Sequence, residues 1–507
     1  MKDATETRKI SVAEWQRNYV KQDEIDRYLV DGKDFIDDDA IEAELARNRA
    51  ADPARIRAII QKAFDIKLMD SSDVAALVNV TDPALRAEVF EAAKKIKTKV
   101  YDNRVVTFAP LYCGSKCVNA CKYCGFRCDN ESVERRVLSM DEVEAEARVL
   151  AGQIGHKRLV IVFGEHPDTG ADYIADCMKR IYSIKMKVRN GVGEIRRVNV
   201  NAAPMSIADL KKLHEAGIGT FQVFHETYHK RTYAEVHPAG TLKGNFRWRL
   251  YALHRAMEAG IDDVAVGALF GLADWRFELM GLVAHARDLE RRFGLGPHTV
   301  SVPRLEPAAD TDFSWVKNRV SDEDFRYLVA CIRLAIPYAG LIVTNREKPE
   351  MIRSLLDIIT QRDADTRVGI GAYTEAFSAH DQREETQQFI LGDTRSLDEI
   401  VRELAAEGHI VSFCTAGYRC GRTGKKIMDA LGSGREGCFC KLNAVLTFQE
   451  WLEDFASPET KKIGDAIIDK EMGEIRARVP ADFSEPMWEH LVKARERILK
   501  GERDLYF

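Results

Sequence analysis

The sequence predicts an α/β fold: a (β/α)8 barrel of the TIM type, with an N-terminal helical cap and a C-terminal, cysteine-containing, largely helical extension. Three observations carry this. Short apolar runs alternate with longer helical segments eight times between residues 101 and 407, the count of a closed barrel. Residues 1–100 read as helix alone, and from residue 408 to 507 the alternation stops and a second group of cysteines appears.

In the cap, Asp52-Pro53 and Thr81-Asp82-Pro83 each place a capping side chain before a proline, which pre-sets the first helical turn. Ser71-Ser72-Asp73 precedes an apolar run in the same way. The predicted strands then lie at 105–109, 159–163, 197–200, 220–224, 264–270, 299–302, 341–344 and 368–370. The helices that follow them lie at 140–153, 173–184, 208–216, 247–259, 276–293, 322–336, 349–359 and 397–407. In such barrels the chemistry sits on loops at the C-terminal ends of strands. The loop after the first strand holds the densest set of reactive side chains in the chain.

At 507 residues, 45% hydrophobic, the chain is long enough for a barrel with additions. A formal net charge of -5 gives no nucleic-acid footprint. The first residues lack an apolar signal core and no apolar run has membrane length, so a cytoplasmic protein is expected. In that compartment eleven cysteines point to metal or redox chemistry rather than disulfides. Nine fall in two groups, Cys113 to Cys128 and Cys414 to Cys440, with Cys177 and Cys331 elsewhere.

Cys117, Cys121 and Cys124 have the spacing C-x3-C-x2-C. Three thiolates on one loop can hold three irons of a 4Fe–4S cluster and leave the fourth open to a substrate. A four-thiolate zinc site using Cys113 and Cys128 is the competing reading of the same residues. The spacing resembles the signature of radical S-adenosylmethionine (SAM) enzymes, and Tyr123 before the last cysteine fits that pattern. The resemblance implies that the open iron chelates SAM and that an electron from the cluster cleaves it to a 5′-deoxyadenosyl radical. It also implies that Gly164-Glu165, after the second strand, borders the ammonium of SAM.

Polar groups also close the next strands. Arg197 and Asn199 lie on the third, as cofactor-binding candidates. His225, Glu226 and Tyr228 end the fourth, and Arg304 ends the sixth, where its guanidinium could pair with a substrate carboxylate. His298 begins the sixth strand and so belongs to the opposite mouth.

Together the runs 111–126, 194–201, 226–229 and 296–304 resemble the HydG family, the tyrosine lyases that mature FeFe-hydrogenase. So do Ser412-Phe413-Cys414-Thr415-Ala416, Gly421-Arg422-Thr423-Gly424 and Gly501-Glu502-Arg503-Asp504-Leu505-Tyr506-Phe507. The resemblance implies cleavage of the Cα–Cβ bond of tyrosine to p-cresol and dehydroglycine. It implies carbon monoxide and cyanide formation on a second iron–sulfur cluster, an electron donor such as ferredoxin or flavodoxin, and contact with other hydrogenase maturases. It also implies a histidine near that second cluster, for which His298 and His285 are the candidates.

The chain departs from the family pattern. The second motif keeps Cys414 and Cys440 but has Gly417 between them, while Cys420 and Cys438 are additional. His225, Glu306 and His166 stand where the family has other residues. Two alternatives follow: a single-cluster aromatic amino acid lyase like 2-iminoacetate synthase, without carbon monoxide or cyanide, and an iron–sulfur carrier.

Overall fold

The first barrel strand, β1 (Val105–Gly114), is ten residues long and buried throughout, and the molecule closes around it. The structure is a computed structural model and describes residues 11–375, 380–421, 424–432 and 435–507. The strands that follow are β2 (Arg158–Phe163), β3 (Arg197–Asn201), β4 (Phe221–Gln222), β5 (Val264–Gly267), β6 (Thr299–Ser301), β7 (Gly340–Val343), β8 (Gln361–Asp363) and β9 (Val411–Ser412). Strands β1 to β8 are parallel and hydrogen-bonded in sequence order, and β8 returns to β1 to close the barrel.

The two halves of β1 have different partners. Its upper half pairs with β2, from Ala109 opposite Leu159. Its lower half pairs with β8, with Val106 opposite Gln361, and with β9, with Val105 opposite Val411. This offset is the stagger that closing a sheet requires.

The predicted eighth strand is wrong. Residues 368–370 are not a strand; β8 is Gln361-Arg362-Asp363. Its polar residues are buried because partners await them: Arg362 forms an ion pair with Asp393 at 2.9 Å, both side chains fully enclosed. The helix expected over 349–359 stops at Arg353. That expected over 140–153 is α-helical over Met140–Val149 and then widens to a π-turn, Leu150–Ile154, ended by Gly155 at φ 92°. A Cβ at Gly155 would lie 2.5 Å from the Phe455 ring, so the C-terminal extension packs on bare backbone there.

In the cap, Asp52 and Asp82 accept hydrogen bonds from Arg55 and Leu85 N–H, as their sequence context predicts. The helix Ser71–Val78 begins after Asp70, so the serines are its first residues, not its cap. The long helix Pro83–Tyr101 packs on Asp322–Ala335 and leads through Asp102 and Asn103 into β1. After β9 come the helices Arg435–Asp454, Pro458–Ala477 and Glu485–Leu499.

The extension is fixed to the lower end of the barrel by buried charge. Glu450 Oε1 lies 2.6 Å from Lys157 Nζ and 2.6 Å from Arg196 Nη2, and all three side chains are enclosed. Burial alone would raise the Glu450 pKa, but Lys157 and Arg196 outweigh it and hold the carboxyl well below the usual range. Glu450→Ala would leave the buried Lys157 without its ion-pair partner, Arg196 keeping Glu194 and Asp504, at a cost of about 3–5 kcal/mol. Denaturant unfolding checks this; wild-type stability in that variant would show that packing alone holds the extension. The folded pKa lies below the unfolded value near 4.3. The ion pair's contribution is therefore present above about pH 4.3 and is lost as pH falls toward the folded pKa, so the wild type should lose more stability on acidification than Glu450→Ala does.

Candidate active site

Beyond Gly114, at the top of β1, the chain leaves the sheet and the cysteine loop begins. Its shape comes from bonds to its surroundings. Arg135 donates to Ser115 O and Asn130 O, both at 3.0 Å, and Ser115 N donates to Arg136 O. Val118 N reaches Glu165 O at 2.8 Å, and Lys122 N reaches Val236 O at 3.1 Å.

These bonds turn Cys117, Cys121 and Cys124 into one cleft at the C-terminal mouth of the barrel. Burial pushes the thiol of Cys117 up to about 11 and that of Cys121 up to about 12, so a metal must displace protons to bind there. Among the described residues no three His, Cys, Asp or Glu side chains close on a point fit for a single metal ion. Cys128 is exposed, and Cys113 is buried beside Cys177. The four-thiolate zinc reading therefore has no support in the arrangement. A cubane, which asks for three thiols spread around it, suits the loop.

Gly164-Glu165, after β2, lies directly against this loop. Gly164 N donates to Gly114 O, and a Cβ at Gly164 would lie 2.2 Å from the Lys116 carbonyl oxygen. The Glu165 carboxylate is buried. Its Oε2 accepts from Asn119 Nδ2 at 2.5 Å, and Oε1 has no hydrogen-bond partner. Burial raises the pKa of this carboxyl. An enclosed carboxylate oxygen without a partner beside three thiols fits the ammonium of SAM. Tyr123 also lines the cleft and donates its hydroxyl to His237 Nε2 at 2.8 Å, with His237 Nδ1 on the Tyr233 carbonyl. His166 accepts from Asp168 N and caps the short turn that follows.

The other sequence candidates divide. Glu226 lines the cleft, at φ 74°, and is paired with Lys243 at 2.7 Å and Arg249 at 3.2 Å. Burial acts to raise its pKa, and those two cations overcome it and hold it low, so it stays ionised. His225 does not reach the cleft: it is enclosed by Tyr228, Tyr233 and Phe246, and burial drives its pKa well down. Tyr228 points away as well, its hydroxyl 2.9 Å from His285 Nδ1. Arg197 and Asn199 lie on the barrel interior below the cleft, where Asn199 Oδ1 accepts from Thr220 N; it is Asn201 of β3 that reaches the cleft.

Arg304 is already engaged. Its Nε donates to Glu347 Oε1 at 2.8 Å, and its Nη1 reaches Asp322 at 2.7 Å. Two guanidiniums line the cleft: Arg249, paired with Glu226, and Arg346, which lies over the Phe389 ring at 3.3 Å and has no ion pair among the described residues. Glu306 is near it, its pKa raised by burial first and by Glu347 second. Arg346 follows β7 as Arg304 follows β6, so the rule that flagged one would have flagged the other. Lys243, Arg249 and Gln388 had no signal; they lie far from the motif in sequence.

At the far end of the barrel, His298 Nδ1 is 2.9 Å from Asp263 Oδ2. His285 is enclosed in the helix layer against Tyr228 and His254, so it is not at that mouth. Arg104 donates to Cys414 Sγ. Cys438 is two residues before Cys440 on one helix, which sets the two on different faces, and its sulfur meets Arg478. The Cys420 thiol is turned to the Phe507 carbonyl at 3.1 Å. Among the described residues Cys414, Cys420 and Cys438 each meet a different partner, Arg104, the Phe507 carbonyl and Arg478.

Comparison with known proteins places the chain among known families. Residues 111–275 match the Radical SAM superfamily, and residues 301–410 match the Biotin and Thiamin Synthesis associated domain. The chain is 26% identical over 356 residues to the 2-iminoacetate synthase of Escherichia coli (strain K12), covering 69% of this chain and 88% of that one. The crystal structure of HydG, a maturase of the [FeFe]-hydrogenase, superposes with a TM-score of 0.87 at 43% identity, over 94% of this chain and all of that one. The X-ray structure of the FeFe-hydrogenase maturase HydG from Carboxydothermus hydrogenoformans does so with a TM-score of 0.76 at 35% identity, over 95% of this chain and all of that one. With whole-length coverage at these identities, the chain belongs to the HydG family of the radical SAM superfamily.

Proposed function

We propose that this protein is a radical SAM carbon–carbon lyase that cleaves the Cα–Cβ bond of tyrosine, giving p-cresol and dehydroglycine, in the maturation of FeFe-hydrogenase. The observation that carries the reading is the convergence, in one cleft, of three thiols, the Glu165 oxygen without a hydrogen-bond partner and the Arg346 guanidinium, which has no ion pair among the described residues. Cys117, Cys121 and Cys124 hold a 4Fe–4S cluster. When bound, cluster and SAM supply a 5′-deoxyadenosyl radical that takes a hydrogen atom from the substrate.

The chain's own residues bind and orient. Glu165 receives the ammonium of SAM. Arg346 presents two parallel N–H donors to the carboxylate of the amino acid, with Phe389 fixing the plane of the guanidinium. The Glu226–Lys243–Arg249 cluster is internally neutralised to one net positive charge and keeps its carboxylate from competing with substrate. Phe163, Leu269 and Phe389 wall the cleft with apolar surface, which keeps water away from a reactive intermediate.

A low-potential donor such as ferredoxin or flavodoxin would supply the electron, and other hydrogenase maturases would receive the product. None of the eleven cysteines is joined in a disulfide, and no helix among the described residues is long and apolar enough to cross a membrane.

A second reading has a specific observation in its favour. Cys414, Cys420 and Cys438 each engage a different partner, Arg104, the Phe507 carbonyl and Arg478, which favours a single-cluster lyase over one that makes carbon monoxide and cyanide. Protein lacking Cys117, Cys121 and Cys124 should then hold no residual iron–sulfur signal by electron paramagnetic resonance. A signal that persists there and vanishes with Cys414→Ala would restore the two-cluster reading.

Two further outcomes are expected. Cys121→Ala should abolish release of 5′-deoxyadenosine from SAM and reductant, because two thiolates cannot fix the cluster; full release would refute the ligand assignment, and no release by the wild type either would favour the carrier. Arg346→Leu should raise the KM for tyrosine roughly 10- to 100-fold, the worth of charge-assisted hydrogen bonds of about 1.5–3 kcal/mol. An unchanged KM in that variant, with a raised one in Arg304→Lys, would return the carboxylate to Arg304.

A further inference from the structure

We infer that Gln388 is a positioning residue for the cluster's electronic state: its side-chain amide donates a hydrogen bond to the Cys124 sulfur and so sets how readily the cluster accepts its electron. The inference rests on the assignment of Cys117, Cys121 and Cys124 as cluster ligands. Gln388 is 264 residues from Cys124 in sequence, yet its Nε2 lies 3.6 Å from Cys124 Sγ. It arrives on the segment that crosses the barrel mouth after β8.

The amide is held from behind. Tyr112, near the top of β1, donates its hydroxyl to Gln388 Oε1 at 2.9 Å. That bond assigns the two ends of the amide: the carbonyl end to Tyr112, the NH2 end to the sulfur. The opposite sense would set a carbonyl oxygen against a thiolate. The backbone enforces the approach, since Gly125 N donates to Gln388 O at 3.2 Å. A Cβ at Gly125 would lie 2.8 Å from that oxygen, so only glycine lets the segment come so near the loop. The next residue, Phe389, stacks on Arg346, so one short segment touches both a cluster sulfur and the guanidinium assigned to substrate.

A hydrogen bond to a thiolate sulfur withdraws electron density from the cluster and favours its more negative, reduced form. Bonds of this kind are among the levers that set iron–sulfur potentials. The step at stake is the transfer of one electron from an external low-potential donor to the cluster; Gln388 itself gains and loses nothing. Asn119 makes the matching contact to Cys117 Sγ at 3.7 Å, but it also holds Glu165, so its loss would disturb cofactor binding as well. Among the described residues the Gln388 side chain bonds to Tyr112 and Cys124 alone, which lets the electronic effect be read by itself.

The test is a redox titration of the reconstituted full chain, followed by electron paramagnetic resonance of the reduced cluster. In Gln388→Leu the midpoint should move to more negative potential. A tenfold fall in the reduced-to-oxidised ratio at fixed potential corresponds to about 59 mV for a one-electron couple. Tyr112→Phe, which keeps the amide but frees it, should shift the midpoint the same way by less. Iron and sulfide content is measured alongside; if Gln388→Leu fails to hold its metal, Gln388→Glu, of equal length but with an acceptor in place of the donor, is titrated instead. Full metal content with an unshifted or more positive midpoint overturns the inference while leaving the ligands in place. Wild-type protein with no reducible cluster would overturn the ligand assignment and this inference with it.

Discussion

The cysteine loop has no ladder of its own, and everything at the barrel mouth depends on how it is held. Its backbone groups are satisfied by neighbours: Val118 by the residue after β2, Lys122 by the end of the helix Lys230–Val236, and Gly125 by the segment after β8. Buried backbone donors and acceptors must find partners, so these contacts fix the directions of the three thiols. Gly164 makes the tightest approach, and its missing side chain is what lets β2 support the loop from below. The barrel is the frame that brings four separate stretches to one place.

Charge in the cleft is arranged by pairing. Glu226 is locked between Lys243 and Arg249, and Arg304 between Glu347 and Asp322. Among the described residues two groups have no direct partner, Glu165 Oε1 without a hydrogen bond and the Arg346 guanidinium without an ion pair, one of each sign. In a cleft with low-dielectric walls such groups are the ones a ligand with an ammonium and a carboxylate would satisfy.

Much of this was legible in the sequence. The strand-and-helix alternation located most of the barrel, because buried parallel strands are continuous apolar runs. Strand β8 escaped because its residues, Gln361-Arg362-Asp363, are polar and find partners inside, notably Asp393. The first cluster motif was readable because its residues are adjacent in the chain. Arg197 and Asn199 show the limit of pattern: alternation gives the face of a strand but not its height in the barrel, and the cleft lies one step higher, at Asn201. For His225 and Tyr228, a position at the strand end did not say whether the side chain turns toward the cleft or into the helix layer. Gln388 and Lys243 reach the site through loops whose course only the fold reveals.

The pairing of Val105 with Val411, and of Lys157 and Arg196 with Glu450, has a consequence for biogenesis. Contacts this distant in sequence are slow to form and come late, after the intervening chain has been made. The strand that carries the cysteine loop therefore acquires its last partners only when the extension has left the ribosome. Until then its thiols stand on an incomplete support, exposed to oxidation and to adventitious metal. Metal loading would be best timed after the whole chain has folded, when Glu450 has paired with Lys157 and Arg196 beneath the barrel.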